Sequence, residues 1–209
     1  MLIVGLTGGI ASGKSLVAQA WSQETGVAVV DVDNIAWESY NPGTEVYIKL
    51  IEHFGNRILN SDQKINRKEL GRIIFDNEAE RQFLMQLVHP AIYAKLWQLA
   101  KRFQAEKKDI FVVEASLLLE SEKIDRSFFE VFVVVDVEQE DQIRRLMTRD
   151  SISRQEAIRK ISSQTPSSIK AKRADFVITS MGTLDETLAR SQSVLDELRE
   201  LARKKNSPN

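Results

Sequence analysis

The run Gly8-Gly9-Ile10-Ala11-Ser12-Gly13-Lys14-Ser15 fits G-x-x-x-x-G-K-[ST]. Glycines let a backbone curl so that successive N–H groups point inward at phosphate oxygens. A helix opening at Lys14 would add the positive end of its dipole. Gly9, Ile10, Ala11, Ser12, Gly13, Lys14, Ser15 and Leu16 are therefore expected to cradle a nucleoside triphosphate, with Lys14 at the β- and γ-phosphates and the Ser15 hydroxyl on Mg²⁺. Downstream, Val29-Val30-Asp31-Val32-Asp33 ends an apolar run with two acids. If extended geometry persists they share one side of the strand. A phosphoryl acceptor needs such a carboxylate to orient its hydroxyl and take the proton as transfer proceeds. Asp33 is the expected acceptor base, and Asp31 a second substrate-site carboxylate acting through Mg²⁺ or the loop. The competing role is capping of a helix that starts near Asn34.

These residues need a frame. Leu2–Leu6, Val27–Val32, Ile110–Val113, Val131–Val135 and Phe176–Ile178 are short, continuous apolar runs, as in strands buried on both faces of a parallel sheet. Stretches of helical spacing alternate with them, which predicts an α/β fold around a five-stranded parallel sheet. Between the second and third runs, helical patterns over Glu45–Phe54, Arg67–Phe75, Glu78–Val88 and Pro90–Lys107 predict a helical insertion, with Pro90 opening a new helix capped near His89. Residues 142–173 hold nine Lys and Arg against two acids, in a chain of net charge −1. Arg144, Arg145 and Arg149 lie there on one predicted helix, where guanidinium groups can stabilise transferred phosphoryl charge and a closing lid excludes water. Their alternative is a solvated face with ion pairs such as Asp141–Arg145. Leu184–Lys205 reads as one amphipathic helix, with fraying expected over 206–209.

Composition excludes several classes. The 209 residues contain no cysteine and two histidines 36 positions apart, which removes disulfide scaffolds, thiolate zinc sites, cysteine nucleophiles and a His-rich cage. The balanced charge argues against a general nucleic-acid or membrane binder. No apolar run approaches the length of a membrane helix and no targeting segment stands out, so a cytoplasmic protein is expected.

Gly5–Ser15 followed by Val30-Asp31-Val32-Asp33 closely resembles the bacterial dephospho-CoA kinases. The resemblance continues in order through Leu70–Phe75, Leu87–Ile92, Leu117–Glu120, Val134–Val137, Gln142–Asp150 and Ala174–Ile178. It implies a P-loop kinase core (1–34, 108–138, 174–209), a helical substrate domain (35–107) and a basic lid (139–173). The implied reaction transfers the ATP γ-phosphoryl group to the ribose 3′-hydroxyl of dephospho-CoA, with Mg²⁺. By that resemblance Arg145 is the lid arginine that meets ATP, with Arg149 second, and His89 belongs to the substrate site. Thr7 is expected to add a hydroxyl near the reacting phosphate. Trp37, Tyr40 and Trp97 are candidates for stacking on adenine or lining the pantetheine channel, against the plainer role of core packing. Oligomeric state is not legible.

Three positions depart from the family pattern. Ala11 stands where glycine is common, testing whether that residue needs positive φ. Glu114-Ala115-Ser116 replaces an aspartate and a turn proline; Glu114 would hold Mg²⁺ through water, and loss of the proline is expected to loosen the turn. Thr179-Ser180-Met181-Gly182 keeps only the glycine of a loop that lies near the adenine. A kinase for another nucleoside or nucleotide acceptor, or an ATP-binding switch without catalysis, are the other readings; the combination of Asp33 with the lid arginines argues against a switch.

Overall fold

The computed structural model describes residues 1–120 and 127–206. Five strands, β1 (Leu2–Gly8), β2 (Val27–Asp31), β3 (Ile110–Glu114), β4 (Val131–Asp136) and β5 (Phe176–Thr179), form one parallel sheet in the order β2-β3-β1-β4-β5. The apolar runs of the sequence are those strands, each extended or trimmed by a residue or two. β3 is buried along its whole length, which explains why it reads as unbroken apolar sequence. Against the sheet lie α1 (Lys14–Ser22) and α9 (Leu184–Asn206). Val17, Ala18 and Trp21 from α1 and Val194, Leu195, Leu198 and Ala202 from α9 join the strand residues in one core. The register aligns Leu6 and Asp31 with Glu114, and Gly8 with Val135, so the carboxyl ends of β1, β2 and β3 bring those residues to one edge.

Two compact units are present, Met1–Asp31 with Phe103–Asn209, and Val32–Arg102. The second contains α2 (Val32–Ser39), α3 (Glu45–Phe54), α4 (Arg67–Asp76) and most of α5 (Glu78–Ala105), with a short 3-10 turn at Gly55–Ile58. In the first, α6 (Gln139–Asp150), α7 (Arg154–Ser162) and α8 (Ser167–Ala171) lie between β4 and β5. A Ser153–Glu156 capping box starts α7. Among the described residues no helix is long and apolar enough to cross a membrane.

Three expectations are corrected. The helices foreseen on either side of His89 are one helix with Pro90 inside it. Leu84, Val88, Ile92, Leu96 and Ala100 form an unbroken buried row at four-residue spacing, and that burial outweighs the hydrogen bond a proline removes. Extended geometry does not persist to position 33: the strand stops at Asp31, and Asp33 occupies the first turn of α2. Its carboxylate there also favours the positive end of that helix. Fraying at the C-terminus does not begin at Asn206, the last residue of α9; residues 207–209 lie outside the described residues.

Candidate active site

β1 delivers the chain to the glycine-rich loop, and close approach dictates glycine there. A Cβ on Gly8 would lie 2.5 Å from Ser12 Oγ and 2.7 Å from the Val135 carbonyl; on Gly9 it would lie 2.3 Å from Gln142 Nε2. Ala11 adopts φ 58 and Gly13 φ 93, so position 11 does require the left-handed region, and the alanine methyl is tolerated at a cost of about 1–2 kcal/mol. Gly13 is the N-cap of α1 and no side chain closes that first turn. Ser12 N–H is taken by Gly9 O (3.1 Å) and Ile10 N–H by Gln164 Oε1 (2.8 Å). The N–H groups of Ala11, Gly13, Lys14 and Ser15 meet no protein acceptor among the described residues. Four donors at a helix N-terminus form an anion cradle.

Lys14 and Ser15 converge on one carboxylate. Lys14 Nζ pairs with Glu114 Oε1, and Ser15 Oγ donates to the same oxygen at 2.8 Å. Glu114 is only 6% exposed, so the ammonium supplies the charge its burial demands. An adjacent hydroxyl and carboxylate are hard oxygen donors of the kind Mg²⁺ prefers, and triphosphate oxygens would supply further ligands. These residues fit the ion. The loop after β3 is not loosened by the missing proline. Thr7 Oγ1 donates toward the carbonyls of Ser116 (3.4 Å) and Leu118 (3.3 Å), Lys170 Nζ donates to Ser116 O (3.0 Å), and Arg173 donates to Leu119 O (3.2 Å). Lys170, fully buried, also pairs with Glu120, whose other oxygen accepts from Thr165 N–H (2.6 Å). Thr7 is likewise fully buried, with its hydroxyl turned toward this loop.

The arginines separate. Arg145 turns inward, donating to Ser180 Oγ (3.0 Å), Ser180 O (2.7 Å) and, more weakly, Ser12 O (3.4 Å). It thus joins α6 to both the phosphate loop and the loop after β5. The expected Asp141–Arg145 pair is replaced by Asp141–Arg144 at 2.5 Å. Arg149 turns to Asp150 (2.8 Å), which Lys160 also approaches (3.2 Å); with these partners the Asp150 carboxyl falls to a pKa of about 2. Arg149 is not brought to the phosphate loop. Arg190 donates to Thr179 O (3.0 Å) and Met181 O (2.7 Å), so the departed 179–182 segment is held from both sides.

In the helical unit Asp33 is exposed on α2. Seven residues on, Tyr40 is buried, and burial together with the Asp33 charge pushes its phenol up to about 12. Trp37 meets Tyr40 edge-on at 4.9 Å and carries the Arg67 guanidinium over its ring at 4.1 Å. Both aromatics are thereby engaged in packing, whereas Trp97 remains 48% exposed. His89 is exposed on α5. Sequence reasoning missed Gln142, Gln164, Ser180 and Lys170. Gln142 left two signals: it opens the Gln142–Asp150 block, and it is a polar residue on the face of α6 that buries Ile143 and Leu146.

A phosphate loop whose Lys14 and Ser15 meet Glu114 fits nucleotide phosphate chemistry, and similarity to known proteins narrows it further. The family profile described as dephospho-CoA kinase matches residues 2–186. A dephospho-CoA kinase from Halalkalibacterium halodurans is 39% identical over 186 residues, covering 89% of this chain and 91% of that protein. A crystal structure from Thermus thermophilus aligns with a TM-score of 0.79 at 30% identity, over 94% of this chain and 97% of that one. Dephospho-CoA kinase from Campylobacter jejuni aligns at 0.68 and 26%, over 95% and 97%. With the match running from β1 into α9 and including every residue of the phosphate loop, this chain belongs to the dephospho-CoA kinase family.

Proposed function

We infer that this chain is an ATP-dependent kinase that transfers the γ-phosphoryl group of ATP to the ribose 3′-hydroxyl of dephospho-CoA, giving CoA and ADP. The observation that carries this reading is the family match over residues 2–186. The Lys14–Ser15–Glu114 cluster at the carboxyl edge of the sheet supplies the phosphate-handling chemistry such a reaction needs.

Phosphoryl transfer requires little covalent work from a protein; positioning and charge stabilisation dominate. The open amides of Ala11, Gly13, Lys14 and Ser15 hold the β- and γ-phosphates, and Lys14 exchanges its contact with Glu114 for one with phosphate as charge moves toward the γ-group. Asp33 aligns the acceptor hydroxyl and receives its proton during transfer; an aspartate of ordinary pKa does not remove that proton beforehand. Asp31 and His89 serve the acceptor side. Arg145 acts from the nucleotide side, fixing Ser180 and the base-side loop, with Arg149 in a secondary role. Ser15 directly and Glu114 through water would hold Mg²⁺, which when bound neutralises charge on the β- and γ-phosphates.

An acceptor panel tests the reading. With ATP and Mg²⁺, dephospho-CoA is expected to gain one phosphate, located on the 3′-oxygen by phosphorus NMR, while adenosine and AMP stay unmodified. Phosphorylation of adenosine or AMP in preference to dephospho-CoA would assign the chain to another acceptor.

A further inference from the structure

Ile10 is held by two glutamines that the chemistry above does not use. Gln164 Oε1 accepts from Ile10 N–H at 2.8 Å, and Gln142 Nε2 donates to Ile10 O at 2.9 Å. Gln142 comes from α6 and is 5% exposed; Gln164 lies in the turn between α7 and α8. Both polar groups of one loop residue are thus met by side-chain amides, as a neighbouring strand would meet them. Ile10 and Ala11 also pack on the small core of Ile143, Leu146 and Ala157. The next residue is Ala11, in the left-handed region at φ 58, a strained conformation that persists only when its surroundings fix it.

We propose that Gln142 and Gln164 are positioning residues that clamp Ile10 and thereby preset the amide cradle for the triphosphate of ATP. The Ile10 N–H faces Gln164, so the open amides begin at Ala11 and their directions follow from where Ile10 is held. A loop already fixed in its binding shape loses less entropy when the triphosphate arrives. The close approach of Gln142 Nε2 to Gly9 has the same meaning: the amide occupies the space a side chain at position 9 would need. The proposal rests on the reading of this loop as the ATP site.

The test uses the full chain with Gln142→Met, Gln164→Met and the double substitution, which keep length and remove the polar contacts. ATP and adenosine affinities are measured by calorimetry, alongside Tm. Each single variant is expected to weaken ATP binding about 5–30-fold, the equivalent of one buried hydrogen bond. Adenosine binding should change less than about 2-fold. Because either loss releases Ile10, the double variant should bind ATP about as weakly as the weaker single variant, not as the product of both. Should buried Gln142→Met fail to fold, half-buried Gln164→Met carries the same ATP-against-adenosine comparison. ATP binding within about 2-fold of wild type in the folded single variants would overturn the clamp, as would an equal loss for adenosine. A wild-type chain that does not bind ATP would overturn the ATP-site reading as well, so the two failures are distinguishable.

Discussion

Lys14 holds two responsibilities: its ammonium meets the phosphates of ATP in the proposed reaction and neutralises a Glu114 carboxylate that is 6% exposed. Lys14→Ala should therefore lower turnover at least about 100-fold and destabilise the fold by roughly 3 kcal/mol, because it strands a buried charge. Adding Glu114→Gln removes that charge, so the double variant should recover much of the Tm and none of the turnover; calorimetry and an ADP assay separate the two effects. Asp33→Asn keeps the phosphate loop intact. It should leave the ATP Kd within about 3-fold of wild type and reduce kcat by about 10²–10⁴, and a kcat close to wild type would remove Asp33 from the acceptor-base role. The phosphate loop was legible in sequence because its chemistry fixes both residue type and spacing. For Thr7 and Arg149, residue type does not say where a hydroxyl or a guanidinium turns: Thr7 faces the loop after β3, Arg149 faces Asp150. The two glutamines carry no charge, and although Gln142 opens the Gln142–Asp150 block, only their contacts with Ile10 show what they do.

Among elements, α5 shows best how packing overrides a local signal. Pro90 cannot donate to the carbonyl four residues earlier, yet the buried row from Leu84 to Ala100 carries the helix through it. Pro90→Ala should restore that hydrogen bond and raise Tm by about 3–6 °C, whereas an unchanged or lowered Tm would show that the missing hydrogen bond costs this helix nothing. Tyr40, just beyond α2, gives an alkaline signature. Its folded pKa of about 12 exceeds the ordinary 10, so the stabilisation it confers is complete below pH 10 and is lost as pH rises toward 12. Tyr40→Phe should flatten the stability–pH curve in that window by on the order of 2 kcal/mol, measured by urea unfolding at pH 9 and pH 11.5. Strands and most helices were readable because period and burial agree in them; α3 and the start of α9 fall where the pattern put them. The end of β2 was not, since Val32 and Asp33 suit a strand end and a first helical turn alike.

Across the whole molecule, basic residues are concentrated in 142–173 within a chain of net charge −1. Much of that charge is internally assigned: Lys170 to Glu120, Arg154 to Glu140, Arg145 to Ser180 and Lys160 to Asp150. The segment therefore ties the phosphate loop, the loop after β3 and the loop after β5 together before any ligand arrives. Such a division was not legible in composition, which reports the amount of charge and not its partners. Chelation with excess EDTA is expected to abolish turnover, and added Mg²⁺ to restore it; turnover that survives chelation would remove Ser15 and Glu114 from metal binding. The most direct test of the kinase reading is ADP release from ATP and Mg²⁺ with and without dephospho-CoA, with the product weighed by mass spectrometry. ADP release that depends on dephospho-CoA, together with a product heavier by one phosphate, is the expected result. Clear ATP binding with no acceptor-dependent ADP and no mass change would contradict it.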